Sequence, residues 1–302
     1  MKKLISLLFT AFISFSLFAQ TTVGENKIIE REGKRIFDSF VKLPGKEIRI
    51  LKTEVTQKLY QDVMGENPSY YKGDNNPVEN VSWYDAIYFC NKLSEKLGFT
   101  PVYAVEGKTD VSTWNYTPHK GNPIGGEVTQ NTKANGFRLP TEEEWEYAAR
   151  GKDGTEFPWN EMDTKNEDGC FYANFKPDRG NYIEDGNLIT SRVGSYGSNS
   201  NGLYDMAGNV AEWTSTVYTA SGVSAMNDMN PQLDYNAAIE DPYRLKKKSV
   251  RGGSWKDPES FIRSAWRSWE YQNQPRSYVG FRCVRSLASS SSVNQKQQKK
   301  RK

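Results

Sequence analysis

The chain has 302 residues, of which 36% are hydrophobic and 25% charged, and this is enough apolar material for one large globular domain. Its net charge is +3, but five basic residues lie in the last seven positions, so the rest is mildly acidic and no nucleic-acid partner is expected. With three cysteines and one histidine, the composition excludes a disulfide-rich scaffold and argues against a zinc site or histidine catalysis.

The first 19 residues are typical of a secretory signal peptide. Lys2 and Lys3 precede an apolar stretch from Leu4 to Phe18, and the small residue Ala19 is followed by polar residues. The stretch is too short for a transmembrane helix. Gln20 stands where a bacterial lipoprotein carries its lipid-bearing cysteine. We therefore expect a periplasmic or secreted protein with no direct membrane span and no lipid anchor.

The composition divides the chain into four segments. We predict a signal peptide at 1–19, an N-terminal lead-in at 20–40, one folded domain at 41–286 and a basic tail at 287–302. The tail consists almost entirely of Ser, Gln, Lys and Arg, so it cannot bury enough apolar surface to fold, and we expect it to be disordered.

Three strands and two helices are predicted within the domain, beginning with a strand from Ile48 to Thr56. A helix follows from Ser82 to Gly98, where Ser82 and Asp85 form a capping box and apolar residues recur at helical spacing.

A second helix is predicted from Thr141 to Gly151. Its three consecutive glutamates suit the positive end of the helix dipole, and we interpret them as helix-stabilising and not as a carboxylate active site.

The later strands are predicted around Val250 and from Val279 to Arg285. Helices in the first half and short strands gathered late favour an α+β fold over an alternating α/β fold. Because large aromatic side chains can form a core where regular structure is sparse, we expect tryptophans in the core. The candidates are Trp83, Trp145, Trp159, Trp213, Trp255 and Trp266.

Six motifs in a fixed order make the chain resemble the formylglycine-generating enzyme (sulfatase-modifying factor) family, from about Val41 to Arg285. The motifs are EVTQKLYQDVMG, NPVENVSWYDAIYFCNKLSEKLG, GFRLPTEEEWEYAARG, NGLYDMAGNVAEWT, VRGGSWKD and VGFRCVR. The resemblance implies that family's elaborated C-type-lectin-like α+β fold, in which much of the backbone is irregular.

The resemblance also implies that the oxidase chemistry of the family is lost. Family enzymes bind copper with two cysteines and convert a sulfatase cysteine to formylglycine. Counted from the RGGS motif, those positions fall on Asp257 and Ile262, and no cysteine lies between Arg251 and Arg282. Since Cu(I) requires soft thiolate ligands, we expect no copper and no catalytic residues, as in a pseudoenzyme.

The three cysteines lie elsewhere in the sequence. The resemblance assigns Cys283 a structural role. We expect Cys90 to be buried on the first predicted helix and Cys170 to be exposed.

Calcium is the cofactor that the resemblance implies, in a structural role at one or two sites. Side-chain and carbonyl oxygens of the kind found here suit Ca²⁺. The first set of ligands is Asp205, Gly208, Val210 and Glu212. The second set is Asn174, Phe175, Asp185 and Asn187. The alternative for the first set is a tight turn in which Glu212 pairs with an arginine.

An aromatic-rich segment from Trp255 to Tyr278 replaces the lost thiol site. Aromatic and arginine side chains are enriched at energetically important contacts, so we expect ligand-binding residues here. The candidates are Asp257, Arg267, Trp269, Tyr271 and Tyr278. The motifs RGGSWKD, EYQ and SYVGFR in and around this segment resemble the non-catalytic lipoproteins of gliding motility and type IX secretion, which implies a protein partner in the bacterial envelope.

The leading hypothesis is therefore an exported, non-catalytic binding or scaffold protein of the bacterial envelope, belonging to a type IX secretion or gliding-motility assembly. The alternative is a formylglycine-generating oxidase that acts on a sulfatase cysteine. A calcium-dependent carbohydrate-binding lectin is a third hypothesis, supported by analogy of fold alone.

Overall fold

A computed structural model describes residues 33–131, 133–151, 154–177, 183–220 and 236–287 of the chain. The predicted signal peptide and all but the first residue of the predicted tail lie outside the described residues. The chain divides after Phe40 into two units. In the first unit residues 33–38 are helical. The second unit, from Val41 onward, contains the sheets and all of the predicted site residues.

The described part of this unit is an α+β fold, as predicted. Its helices are α1 (Gln57–Met64), α2 (Trp83–Lys96) and α3 (Glu142–Arg150). The strands of the described residues are β1 (Phe40–Lys42), β2 (Ile48–Leu51), β3 (Tyr103–Val105), β4 (Val128–Gln130), β5 (Phe137–Arg138), β6 (Ala211–Val217), β7 (Lys247–Arg251), β8 (Ser268–Tyr271), β9 (Val279–Gly280) and β10 (Val284–Ser286). Short 3₁₀ turns lie at Val111–Thr113, Tyr243–Lys246 and Glu259–Phe261.

The strands form two four-stranded sheets and one two-stranded sheet. The first has the order β1-β2-β10-β5, and β10 pairs antiparallel with both of its neighbours. The second has the order β8-β7-β6-β9, in which only β6 and β9 run parallel. β3 and β4 form the small third sheet.

Both predicted helices are confirmed at their caps. Ser82 and Asp85 form a capping box at the start of α2, and Thr141 and Glu144 form one at the start of α3. Each box satisfies backbone N–H groups that a helix start otherwise leaves unpaired.

Helix α1 was not predicted. The strand predicted from Ile48 to Thr56 ends at Leu51. Thr56 is instead a helix cap, whose side chain accepts from the backbone N–H of Leu59. Gly65 closes the helix in the left-handed conformation at φ 91°. A threonine before the helix and a glycine after it bracket α1 in the sequence, and this was the signal available.

Strand β6 was also missed, since its sequence AEWTSTV shows no alternation of apolar and polar residues. All of its residues are nevertheless buried. Its polar side chains are hydrogen-bonded: Thr214 Oγ1 donates to the Ser249 carbonyl at 2.9 Å, and Trp213 Nε1 donates to the Val81 carbonyl at 3.0 Å. A strand whose polar groups find partners can be buried on both faces without a hydrophobic pattern.

The core is aromatic, although the predicted tryptophans differ in burial. Trp83, Trp145 and Trp213 are fully buried, as expected, and Trp114 joins them without having been predicted. Trp266 was wrongly assigned to the core, because its side chain is 37% exposed. Trp159 and Trp255 are half-buried. Among the described residues, no helix has both the length and the apolar character that a membrane span requires.

Candidate functional site

The site that replaces the lost thiol pair begins where β7 ends. Arg251 is followed by two glycines with positive φ. At Gly253, a Cβ atom would lie 2.7 Å from the carbonyl oxygen of Phe261, so a side chain would collide with the backbone there. This close approach turns the chain sharply and brings the segment from Ser254 to Asp257 against β8.

Here the turn and β8 enclose a small cavity of about 110 Å³. Three of the predicted ligand-binding residues line it together: Asp257, Trp269 and Tyr278. Trp266 also lines it, which explains why this side chain is exposed. We call this cavity the Asp257 pocket. Its volume suits one side chain of a partner better than a whole small-molecule ligand.

Fixed charges surround the Asp257 pocket. The Asp257 carboxylate accepts from Ser254 Oγ at 2.7 Å and pairs with Lys256 Nζ at 3.1 Å. That ammonium group lies 3.9 Å from the centre of the Tyr278 ring. The Tyr278 hydroxyl donates to Glu270 at 2.7 Å. Burial and the neighbouring Glu270 raise the pKa of Tyr278, so its hydroxyl remains a hydrogen-bond donor at neutral pH.

The two other predicted ligand-binding residues lie outside the Asp257 pocket. Tyr271 stacks on Tyr243 with ring centroids 3.9 Å apart. The Arg267 guanidinium binds the two carboxylate oxygens of Glu142 at 2.6 and 2.9 Å and also donates to the Thr219 carbonyl. These contacts occupy Arg267 within the protein.

An ion-pair network that was not recognised in the sequence lies beneath this surface. Arg251 is fully buried and binds Glu142 at 2.7 Å and Glu146 at 2.8 Å. Burial alone would raise the pKa of Glu142, but hydrogen bonds and charge from Arg267 and Arg251 outweigh it and hold that pKa below its usual range. Glu142 therefore links helix α3 to both arginines, a role beyond that of a helix-dipole glutamate.

At the two positions where the family has copper-binding cysteines, the structure places side chains without sulfur. Asp257 is bonded to Ser254 and Lys256. Ile262 is fully buried in an apolar cluster with Phe157, Ala173, Phe175 and Ala207.

The cysteines lie elsewhere and in the predicted environments. Cys90 and Cys283 are buried with their Sγ atoms 3.7 Å apart, and Cys170 is exposed. Burial raises the pKa of Cys90 well above its usual value, so its thiol is protonated and unreactive at neutral pH.

The first predicted calcium set converges on an arginine. Arg282 is fully buried and binds Glu212 at 2.6 Å, and the same guanidinium donates to the carbonyl of Asp205. Trp145 Nε1 donates to the other Glu212 oxygen at 2.8 Å. Asp205 accepts from the Gly194 N–H at 2.6 Å. Glu212 therefore pairs with an arginine, as in the alternative interpretation, and calcium at this set stays a prediction.

The second predicted set has an arrangement that fits a cation better. Both carboxylate oxygens of Asp185 accept backbone N–H groups, from Phe175 at 2.8 Å and from Asn187 at 3.0 Å. Asn174 is buried, and no donor among the described residues is bonded to its Oδ1 atom. Asn174 Oδ1 is thus an unpaired buried acceptor and Asp185 a half-buried carboxylate, and both are oxygen ligands of the kind that Ca²⁺ takes.

Carboxylates alone do not make a metal centre here. Within the part of the chain that the structure describes, no group of three or more His, Cys, Asp or Glu side chains is placed to hold a metal ion. A calcium ion at the second set would therefore depend on the amide oxygen of Asn174 and on backbone carbonyls as well as on Asp185.

Comparison with known proteins assigns the fold and the family. Residues 19–287 match the family model described as the sulfatase-modifying factor enzyme 1-like domain. Among solved structures, the Treponema denticola variable protein 1 is 29% identical with a TM-score of 0.62, over 82% of this chain and 91% of that chain. The expected formylglycine-generating-enzyme fold is confirmed.

Curated relatives include active and inactive proteins. The chain is 42% identical over 169 residues to the chaperone protein LppX of Paenibacillus barcinonensis, covering 54% of this chain and 59% of that protein. It is 31% identical to the formylglycine-generating enzyme of Mus musculus, over 73% of this chain and 47% of the enzyme. The inactive C-alpha-formylglycine-generating enzyme 2 of Bos taurus is 33% identical over 48% of this chain and 42% of that protein. The chain thus spans about half the length of these relatives.

Proposed function

The chain belongs to the sulfatase-modifying factor enzyme 1-like domain family, and from that premise we propose that it is a non-catalytic member whose Asp257 pocket binds a protein partner. The observation that carries the proposal is the replacement of both thiol positions. One position holds a carboxylate that is bonded to Ser254 and Lys256, and the other holds a fully buried isoleucine. Neither side chain can hold Cu(I) or attack a thiol substrate.

The remaining thiols do not restore the chemistry. Cys90 and Cys283 are close enough to cooperate, but both are fully buried, so a peptide substrate cannot reach them. Cys170 is accessible but has neither of the other cysteines beside it. Oxidation of a sulfatase cysteine would need two neighbouring thiols that a substrate can approach.

The walls of the Asp257 pocket favour a protein side chain as the occupant. Trp269 and Tyr278 contribute half-buried aromatic rings, and charged groups surround the pocket, which is the composition of energetically important protein contacts. The name of the 42% identical relative, a chaperone protein, and that of the relative called inactive support a role in binding proteins without oxidising them.

We place this partner in the bacterial envelope. The proposal rests on the apolar segment and small residue at the start of the chain, which are typical of export. Within the envelope, we propose an assembly of the type IX secretion or gliding-motility kind, on the local resemblance carried by the motifs RGGSWKD, EYQ and SYVGFR.

Calcium has a structural part in the proposal. Asn174 and Asp185, with the Phe175 and Asn187 backbone, would hold one ion in the loop before Ile189. A cation that binds only the folded chain would supply stability to a loop-rich domain. It would take no part in chemistry.

The experiment is co-purification from solubilised bacterial envelopes with the full chain as bait. One protein should be recovered in a stoichiometric amount with the wild type, and at least about fivefold less with Trp269→Ala, since removal of a central aromatic anchor costs more than about 1 kcal/mol. Asp62→Asn, on the exposed side of α1, is the control and should retain the partner. Equal recovery with all three chains would refute binding at this pocket.

A second assay addresses the oxidase alternative. The purified chain is incubated with copper and a sulfatase-motif peptide, and the peptide is weighed by mass spectrometry. We expect the cysteine to remain intact. Formation of formylglycine would overturn the non-catalytic assignment even if a partner is found.

A further inference from the structure

A second, larger cavity shares no lining residue with the Asp257 pocket. Its volume is about 380 Å³, within the range of roughly 300–1,000 Å³ that ligand sites occupy. Trp159, Tyr172 and Tyr196 supply aromatic walls, and Glu161 and Asp205 supply carboxylates. We call this cavity the Trp159 pocket.

The aromatic walls are rigid. Trp159 is stacked between Phe157 and Tyr172, with ring centroids 4.9 and 5.2 Å away, and its indole N–H donates to the Asp163 carbonyl. The Tyr196 hydroxyl accepts from Asn187 Nδ2 at 2.8 Å. Aromatic faces that are held in place by such contacts lose little freedom when a ligand binds against them.

The two charged side chains that line the Trp159 pocket, Glu161 and Asp205, are both acidic. No lysine or arginine is among its lining residues, whereas two carboxylates are. Lys165, on the same loop, is ion-paired with Glu184 at 2.6 Å.

One carboxylate is available at the base of the Trp159 pocket. Asp205 is only 7% exposed, yet it lines the cavity. Its Oδ2 atom accepts from the Gly194 N–H, and among the described residues no donor is bonded to Oδ1. Arg282, which approaches from the protein side, is bound to the Glu212 carboxylate. The Asp205 carboxylate can therefore compensate a cation or accept from a hydrogen-bond donor in the cavity.

We propose that the Trp159 pocket binds an alkylammonium cation. The Tyr172 and Tyr196 rings in the cavity wall attract a positive charge through their quadrupoles, whereas the faces of Trp159 are covered by Phe157 and Tyr172. Glu161 at the rim and Asp205 at the base compensate the charge of the ligand. A free quaternary amine and a lysine side chain of a protein share this chemistry, and the two sources differ in the chemical group that is attached to the ammonium nitrogen.

The test uses purified full-length protein in calcium-containing buffer and isothermal titration calorimetry. The probes are choline, its uncharged isostere 3,3-dimethyl-1-butanol, and N-acetyl-lysine methylamide. We expect at least one ammonium probe to bind at least about fivefold more tightly than the isostere, since a cation–π contact contributes about 1 kcal/mol. Tighter binding of choline indicates a small-molecule ligand, and tighter binding of the lysine derivative indicates a partner protein.

Two pairs of variants separate charge and ring from folding. Glu161→Gln should lower the affinity for the ammonium probe about threefold or more. Glu127 is an exposed glutamate beside β4, and Glu127→Gln should leave the affinity unchanged. Tyr172→Leu should also lower the affinity for the ammonium probe, and Tyr172→Phe, which keeps the ring, should bind the probe as the wild type does. Urea unfolding of each variant verifies the fold.

Three results would each overturn the proposal. The first is equal affinity for choline and its isostere with no preference for the lysine derivative. The second is absence of binding by both ammonium probes. The third is an equal loss of affinity for the ammonium probe in Glu161→Gln and Glu127→Gln. None of these results depends on the Asp257 pocket or on a partner found by co-purification.

Discussion

Replacing Glu142 by glutamine removes the one carboxylate that two arginines share. In the wild type Glu142 binds buried Arg251 at 2.7 Å and Arg267 at 2.6 Å, and its own side chain is 5% exposed. Glutamine has nearly the same shape, so packing is preserved. The change therefore isolates the loss of charge in a site that water does not reach.

The expected cost follows from this geometry. Removing one partner of a buried ion pair costs roughly 3–5 kcal/mol, because the other charge remains buried without compensation. Arg251 keeps Glu146 at 2.8 Å, and Arg267 is partly exposed, so we expect the lower end, about 3 kcal/mol.

The measurement is urea unfolding followed by tryptophan fluorescence, with Glu143→Gln as the matched control. Glu143 is the next residue in the same first helical turn, and its side chain is 82% exposed. Its replacement loses only a helix-dipole contact and a surface ion pair, so it should cost at most about 0.5 kcal/mol. Similar losses for the two variants would refute a buried network at Glu142.

The pH dependence supplies an independent criterion. The pKa of Glu142 is lowered from its ordinary value of 4.5. Its contribution to the free energy of unfolding is therefore complete above about pH 4.5 and is lost as the pH falls through the lower folded-state pKa. The difference in the free energy of unfolding between wild type and Glu142→Gln should be constant near neutral pH and should decrease in acid. A difference that grows as the pH falls would contradict the assigned direction.

Three further predictions concern metal, thiols and backbone. Calcium at about a hundred times its dissociation constant should raise the free energy of unfolding of the metal-free protein by about 2.7 kcal/mol, as measured by thermal unfolding. Asp185→Asn should abolish this gain. If calcium does not stabilise the wild type, the second predicted calcium site is refuted. Native protein should react with a maleimide rapidly at Cys170 and at Cys90 or Cys283 only after unfolding, as mapped by mass spectrometry, because only Cys170 is exposed; early labelling of either buried thiol would contradict the packing. Gly208→Ala should lower the free energy of unfolding in urea by more than about 1 kcal/mol, because φ at Gly208 is 74° and the new Cβ would lie 2.1 Å from a backbone carbonyl oxygen. An unchanged midpoint of urea unfolding would show that this turn relaxes.

The helices with strong local signals were predictable from the sequence. The caps of α2 and α3 depend on residues three positions apart, Ser82 with Asp85 and Thr141 with Glu144, so the information is local. The loss of the thiol pair was equally predictable, because the absence of cysteine between Arg251 and Arg282 can be read from the sequence alone. Both findings are properties of short windows of the chain.

The roles of several polar residues were decided only by tertiary structure. The glutamates at 142 and 143 look alike in the sequence, yet the first is buried against two arginines that follow it by more than 100 residues, and the second faces water. Trp266, expected in the core, lines a cavity instead. Residues so far apart meet only through sheet and helix packing, which no local pattern encodes.

What the sequence determined by itself is thus the family, the α+β class, the two capped helices and the loss of the sulfur pair. The tertiary structure decided that Asp257, Trp269 and Tyr278 share a pocket, that Arg282 pairs with Glu212 of the first predicted calcium set, and that a second cavity carries aromatic walls and two carboxylates. The physical reason is the range of the interactions. Caps and turns act over a few residues, whereas burial and ion pairing depend on which distant segments come together.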